Sequence, residues 1–297
     1  MMALGYMRKL ISDDQIFPFV EQVLCIQGEA KVDEAIQKIK RSEIWMDNYC
    51  ENSTFTDKRF RNIRYNTAAK RQQLQSQIVS ELFTLERLDD DEKTELGRGG
   101  AKPRGCDPSN DGNIYLIIGL PASGKSNIAN TIADFTASYL IDSDLAKRKL
   151  PEYKNDGGAS LVHDESSMLS DKLLVECKKC KLNMVIPKIG GEFDSIKKLS
   201  AEFIDNGYKV YLVLVELDRM LATQRAYNRY LETERYIPLS LIYDSYANEP
   251  ILTYYRIKQR SSNLVSGYLH LDNDVPKGSS PVIVECFCMD DIRKLFN

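Results

Sequence analysis

Apolar side chains recur at three- and four-residue intervals over Asp33–Met46 (DEAIQKIKRSEIWM) and again over Thr56–Phe83. That period predicts two helices, each with one buried stripe. Thr56 and Asp57 offer the small polar side chains that start a helix. The pattern then breaks over Leu88–Gly112 (LDDDEKTELGRGGAKPRGCDPSNDG), where Gly, Pro, Asp and Ser gather among charges. Such a stretch predicts a linker or mobile loop. From Asn113 onward short unbroken apolar runs take over: NIYLIIG (Asn113–Gly119), SYLID (Ser138–Asp142), NMVIP (Asn183–Pro187) and KVYLVLVEL (Lys209–Leu217). Helical periods over 124–135, 163–181 and 193–206 separate them. Strands apolar on both faces, alternating with helices, predict a parallel sheet with right-handed crossovers. Two further helical runs, 218–232 and 238–248, precede a last strand, PVIVECF (Pro281–Phe287), and a short terminal helix.

The first run ends in GLPASGKSN, Gly119–Asn127, which fits the phosphate-binding pattern Gly-x4-Gly-Lys-Ser/Thr. It lies between a predicted strand and a predicted helix, the context the pattern requires. Glycines let backbone N–H groups face inward, and the helix start adds positive potential. Gly119, Leu120, Pro121, Ala122, Ser123, Gly124, Lys125, Ser126 and Asn127 are therefore the expected nucleotide-binding residues. Lys125 is expected to reach the β- and γ-phosphates, and Ser126 to ligate Mg²⁺ beside ATP or GTP. No Asn-Lys-x-Asp segment reads a guanine base, so a GTPase switch is disfavoured. The fold class expected is α/β: a P-loop kinase-like parallel sheet flanked by helices, with an N-terminal helical extension.

The second predicted strand ends in Asp142-Ser143-Asp144. Ligands of open parallel sheets gather at the carboxyl ends of strands, so these carboxylates should flank the phosphates. Asp144 is the expected general base toward a hydroxyl acceptor, and Asp142 an expected metal ligand. Helix capping is the alternative for Asp142 and Ser143.

Composition narrows the setting. The chain has 297 residues, 43% hydrophobic and 28% charged, with a net charge of −3. These values suit a globular protein and argue against wholesale nucleic-acid binding. No apolar run approaches the roughly 20 residues of a membrane span. Seven cysteines without framework spacing fit a reducing cytosol. Cys177 and Cys180 form a C-x2-C pair without a second pair at zinc spacing, and with only two histidines, imidazole-rich metal or triad chemistry is not expected.

The order GLPASGKS, SYLIDSD, LPEY (Leu150–Tyr153) and VHDESSMLSDKLL (Val162–Leu174) resembles the zeta toxin family. FTDKRFRN (Phe55–Asn62) looks like a helix that precedes the phosphate loop in some members, and the likeness runs from about Phe55 to Glu249. The resemblance implies a bacterial, cytoplasmic P-loop kinase of a toxin–antitoxin system. It would phosphorylate the amino-sugar 3′-hydroxyl of UDP-N-acetylglucosamine, with ATP and Mg²⁺. It matches Asp144 to the base, Asp171 to an acidic substrate-binding residue, and His163 and Glu165 to a His-x-Glu-Ser segment. Another hydroxylated acceptor, such as a dinucleotide cofactor or an antibiotic, and a nucleotide-binding regulatory module are the alternatives. The implied organisation is an extension over 1–54, a helix and linker over 55–112, and the kinase over 113–297.

Phosphoryl transfer needs cations that follow the charge of the transition state. Arg225 and Arg229 lie four apart on one helical face. Arg235 opens RYIP, similar to the Arg-x-x-Pro of the family's lid. Arg225 and Arg235 are the favoured lid residues. Where the family commonly has an acidic residue and Gly-Thr after the third strand, this chain has Lys188 in VIPKIGG, a candidate for binding a substrate phosphate. The family's antitoxins are small helical proteins that block the nucleotide site, so Met1–Cys50 is expected either to restrain the kinase in cis or to complete its core. The basic run Lys58, Arg59, Arg61, Arg64, Lys70 and Arg71 reads as a solvated helix face or a contact of the acidic loop Asp89–Glu92.

Overall fold

Six strands build one sheet: β1 (Asn113–Ile118), β2 (Tyr139–Leu140), β3 (Met184–Lys188), β4 (Lys209–Glu216), β5 (Gly267–Asp272) and β6 (Val282–Phe287). They lie in the order β2-β3-β1-β4-β5-β6. The first five run parallel and β6 antiparallel to β5. The computed structural model describes residues 8–49, 52–154, 158–276 and 278–297. Met1–Met7 and Cys50 of the expected restraining segment lie outside them.

The helices, in chain order, are α1 (Asp13–Gln22), α2 (Glu29–Tyr49), α3 (Ala68–Thr84), α4 (Lys125–Phe135), α5 (Ser143–Lys149), α6 (Gly158–Leu161), α7 (His163–Lys179), α8 (Phe193–Asp205), α9 (Arg219–Thr233), α10 (Glu249–Arg260) and α11 (Asp290–Arg293). Crossover helices α4, α7 and α8 cover the sheet, so Ile114, Leu116, Ile117 and Ile118 of β1 are fully buried. The continuous apolar runs of the sequence are thus strands shielded on both faces.

A second apolar cluster lies apart from the sheet core. It joins Leu10, Ile16, Phe19, Val20, Ile36 and Ile39 of the N-terminal hairpin to Leu120, Leu217, Ala222, Ala226, Tyr227, Leu239 and Ile242. The hairpin therefore packs on α9 and on the segment that follows it.

Three expectations are corrected. Thr56–Phe83 is not one helix. The side chains of Asp57 and Asn62 accept the backbone N–H two residues on and close short 3-10 turns at Lys58–Phe60 and Ile63–Tyr65. Such local bonds compete with a helix ladder, and α3 begins only after Thr67 caps it. Leu88–Gly112 is not a mobile linker. Arg104 holds Asp89 and Asp134, Arg87 holds Asn130 and Asp134, and Lys149 donates to Glu81 and to the carbonyls of Glu95 and Arg98. Finally, the helical run expected over 238–248 is a π-helical turn, Leu241–Tyr246, leading into α10, and β5 follows where no strand was expected.

Candidate active site

Gly119–Ser123 turns β1 into α4. A Cβ on Gly119 would stand 2.4 Å from the carbonyl oxygen of Val215, so the loop lies directly on the β4 backbone. Gly124 caps α4 at φ 88, and a Cβ there would meet the Asn273 amide at 2.3 Å. That amide donates to the Ser123 carbonyl at 2.6 Å and so pins the loop. The Lys125 ammonium bends back over the loop and donates to the carbonyls of Gly119 (2.7 Å) and Leu120 (2.5 Å). Burial pushes its pKa down to about 7; nearby Arg229 lowers it further and Asp142 opposes. The Leu120 side chain is buried in the hairpin cluster, which leaves only its backbone for a ligand. Ser126 and Asn127 are exposed at the helix mouth.

Asp142 and Asp144 stand at the carboxyl end of β2. Asp142 caps α5, accepting the Asp144 backbone N–H at 2.9 Å. The capping alternative therefore holds for one of its oxygens, and the metal role expected of Asp142 is left with the other. Burial and then the Asp144 charge raise its pKa. Asp144 accepts from the Lys147 ammonium at 2.8 Å and pairs with Arg235 at 3.4 Å. Burial alone would raise its pKa, but Lys147, Arg148 and Arg235 outweigh it and hold the carboxyl far below the usual range.

The arginines rank differently from expectation. Arg225 donates to the carbonyls of Asn273 (3.2 Å) and Val275 (2.9 Å). In this structure it clamps the loop after β5. Arg229, the least favoured of the three, lies within reach of the Arg235, Asp144 and Glu92 charges. Its Nε is buried without a hydrogen-bond partner. Burial depresses its pKa, Arg235 adds to the effect, and Asp144 and Glu92 oppose it. Arg235 lies over the Tyr153 ring, 5.5 Å from its centroid, and donates to Glu92 at 2.9 Å. Glu92 also pairs with Arg148 at 2.8 Å. The acidic loop therefore meets the lid arginine, not the basic run of residues 58–71.

Among the expected substrate residues, His163 opens α7 in reach of the Asp144 and Lys147 charges. Lys188 is exposed at the carboxyl end of β3, opposite Ile118. Glu165 is corrected outright. It is fully buried, and its carboxylate is held by Arg71, Gln75 and Thr54, while Arg71 also pairs with Glu152. The apolar surroundings demand complete pairing of such groups; the cluster ties α3 to α7 and is closed to a ligand. Asp171 is exposed on α7, eight residues beyond His163, about 12 Å along the helix. The sequence reading missed Glu92, Lys147, Arg148, Tyr153 and Asn273. A basic pair three and four residues past a candidate base was the available signal for two of them.

Among the described residues no three-residue His/Cys/Asp/Glu metal cluster occurs, and Cys177 is buried beside exposed Cys180.

No curated protein matches the chain. Among solved structures it is similar to a chain of the PezAT chromosomal toxin–antitoxin system of Streptococcus pneumoniae, at 18% identity and a TM-score of 0.47, over 65% of this chain and 81% of that one. It is also similar to a chain of AvrRxo1-ORF1:-ORF2 with ATP, at 19% identity and a TM-score of 0.47, over 73% of this chain and 67% of that one. A gluconokinase from Sinorhizobium meliloti 1021 aligns at 14% identity and a TM-score of 0.35, over 63% and 91%. The family model described as zeta toxin matches residues 100–277. With more than half of its length in that match, and the phosphate loop and paired aspartates inside it, this chain belongs to the zeta toxin family.

Proposed function

We propose that this protein is a kinase that moves the γ-phosphoryl group of ATP onto a sugar hydroxyl of UDP-N-acetylglucosamine or a similar nucleotide sugar. The observation that carries the reading is the Asp144 carboxylate, set at the strand ends in ion pairs with Lys147 and Arg235, near Arg229, whose buried Nε has no partner. Binding of the triphosphate draws Lys125 off the loop carbonyls toward phosphate oxygens. Arg229 and Arg235 face the charge that spreads over the transferred group. Asp144 orients the acceptor hydroxyl and takes its proton. Its depressed pKa makes it a weak base, which suits a loose transition state in which the proton leaves late. Magnesium fits the site, because the Ser126 hydroxyl is exposed and burial beside Asp144 leaves Asp142 short of compensating charge. Ser126 and Asp142 would hold the ion, which would supply positive charge against the phosphates.

Lys188 favours a second reading, in which the acceptor is another hydroxylated metabolite with an anionic group near the end of β3. Incubating the protein with MgATP and a panel containing UDP-N-acetylglucosamine, dinucleotides and aminoglycosides, followed by mass spectrometry, separates the two. ATP bound without phosphate gain by any acceptor would leave a nucleotide-dependent regulatory module instead. A reducing bacterial cytosol and a helical antitoxin partner accompany the reading.

A further inference from the structure

Each arginine over the site is followed directly by a tyrosine, Arg229-Tyr230 and Arg235-Tyr236. The arginines turn toward Asp144 and Glu92, while the tyrosines turn back to the N-terminal hairpin. The Tyr230 hydroxyl shares a 2.9 Å hydrogen bond with the Ser42 hydroxyl on α2. The Tyr236 hydroxyl donates to the Glu43 carboxylate at 2.6 Å, and Glu43 is fully buried. The two rings pack edge to face, with centroids 5.1 Å apart. Between the pairs, α9 ends at Glu234 in the left-handed conformation (φ 58), so the chain folds back and brings Arg235 over the site. Arg8–Asp244 and a bond from Ser240 to the Arg8 carbonyl close the same seam farther along.

This arrangement constrains direction. Neighbouring residues on a helix point about 100° apart, so fixing the Tyr230 ring fixes the bearing of Arg229. Beyond Glu234, Arg235 has no helix ladder of its own; Glu92 and Asp144 hold its guanidinium, and the bond from Tyr236 to Glu43 ties the adjoining backbone to the hairpin. At 2.6 Å, the Tyr236–Glu43 bond fixes the direction of the ring.

We propose that α2 of the N-terminal hairpin is a working part of the lid. Ser42 and Glu43, acting through Tyr230 and Tyr236, are positioning residues that aim Arg229 and Arg235 at the transferred phosphoryl group. The inference rests on the kinase reading above and reverses the sign expected of a cis inhibitor: the hairpin supports turnover.

The test uses the full chain. Tyr236→Phe and Tyr230→Phe should lower kcat on the order of tenfold to a hundredfold, as small misplacement of a reacting contact does, with KM for ATP within about twofold of its starting value. Affinity for ADP with aluminium fluoride, which presents a mimic of the transferred group, should fall by a similar factor while ADP affinity holds. Glu43→Gln keeps an acceptor for Tyr236 and should retain most of kcat; Glu43→Ala should not. Unchanged kcat and unchanged fluoride-complex affinity in Tyr236→Phe, with Arg229→Ala impaired, overturn the inference. A rise in turnover also overturns it and restores the inhibitor. A wild-type protein that binds neither ADP nor its fluoride complex refutes the kinase reading itself.

Discussion

The guanidinium of Arg235 stands 3.4 Å from the Oδ2 of Asp144, so the groups proposed as lid cation and acceptor base hold each other. Glu92 grips the same guanidinium at 2.9 Å. On the proposed reading, an incoming phosphate competes with both carboxylates for Arg235, and release of Asp144 frees it to meet the acceptor hydroxyl.

Replacing Asp144 with Asn keeps size and removes the negative charge. Phosphoryl transfer should fall by about 10²–10⁴, the usual worth of a positioned acid or base, with ATP affinity within about twofold. Steady-state kinetics and calorimetry together check this. Full activity in the variant would leave the acceptor without its base.

Acid should inactivate the enzyme late. Lys147, Arg148 and Arg235 hold the Asp144 pKa below that of an ordinary aspartate, against burial. A depressed carboxyl stays ionised as pH falls, so its contribution to the rate is present above the ordinary pKa and lost only well below it. The kcat profile should carry no Asp144 limb between about pH 5 and pH 8. An acid limb near pH 6 that disappears in Asp144→Asn would contradict that environment.

Arg225 and Arg229 should fail in different ways. Arg225 clamps the carbonyls of Asn273 and Val275, and Asn273 pins the phosphate loop at Ser123. Arg225→Ala should therefore raise KM for ATP several-fold and change kcat less. Arg229→Ala removes a cation facing the transition state and should cost about 10³ in kcat. Equal effects on the same constant would place both on the phosphates.

Much of this was legible in the chain. Strands β1 to β4 announced themselves because strands shielded on both faces leave unbroken apolar runs. The phosphate loop is encoded locally, by glycines whose freedom the turn needs. What escaped was decided by long-range pairing. Arg71 sits in a basic run that looks solvated, yet Glu152 and Glu165, far along the chain, draw it inside. Leu88–Gly112 has the composition of a linker, but ion pairs from Arg104 and Lys149 fix it. Arg225 and Arg229 share a face and a spacing; only the position of the 273–275 carbonyls tells them apart. β5 (GYLHLD) is as long as β1 but mixed in polarity, because it lies next to the sheet edge and carries His270, bonded to Glu216.

The Arg71 cluster should be worth much to stability and nothing to ligand recognition. Arg71→Leu strands two buried carboxylates, and breaking such a pair costs about 3–5 kcal/mol. Urea titration should show that loss. Arg71 holds the Glu165 pKa down against burial, together with Gln75 and Thr54. Its stabilisation is therefore full at neutral pH and disappears as pH falls through the depressed value. A variant as stable as the parent would mean that the cluster is open to water.

Lys125 offers the last check, because its burial has a thermodynamic signature in nucleotide binding. Its pKa is pushed down to about 7 in the free protein by burial and by Arg229. At pH 8 roughly nine in ten of these amines are then neutral. A triphosphate, fully ionised at that pH, stabilises the ammonium form and raises the pKa again. ATP binding at pH 8 should thus take up nearly one proton, while binding at pH 6 should take up almost none at Lys125. By linkage, affinity falls by up to about tenfold per pH unit above 7. Calorimetry in buffers of different ionisation enthalpy counts the protons directly, and Lys125→Met should abolish the uptake at pH 8. If ATP binds the parent protein at pH 8 without proton uptake, Lys125 is already charged in the free state, and the buried, inward-folded ammonium is not its resting environment.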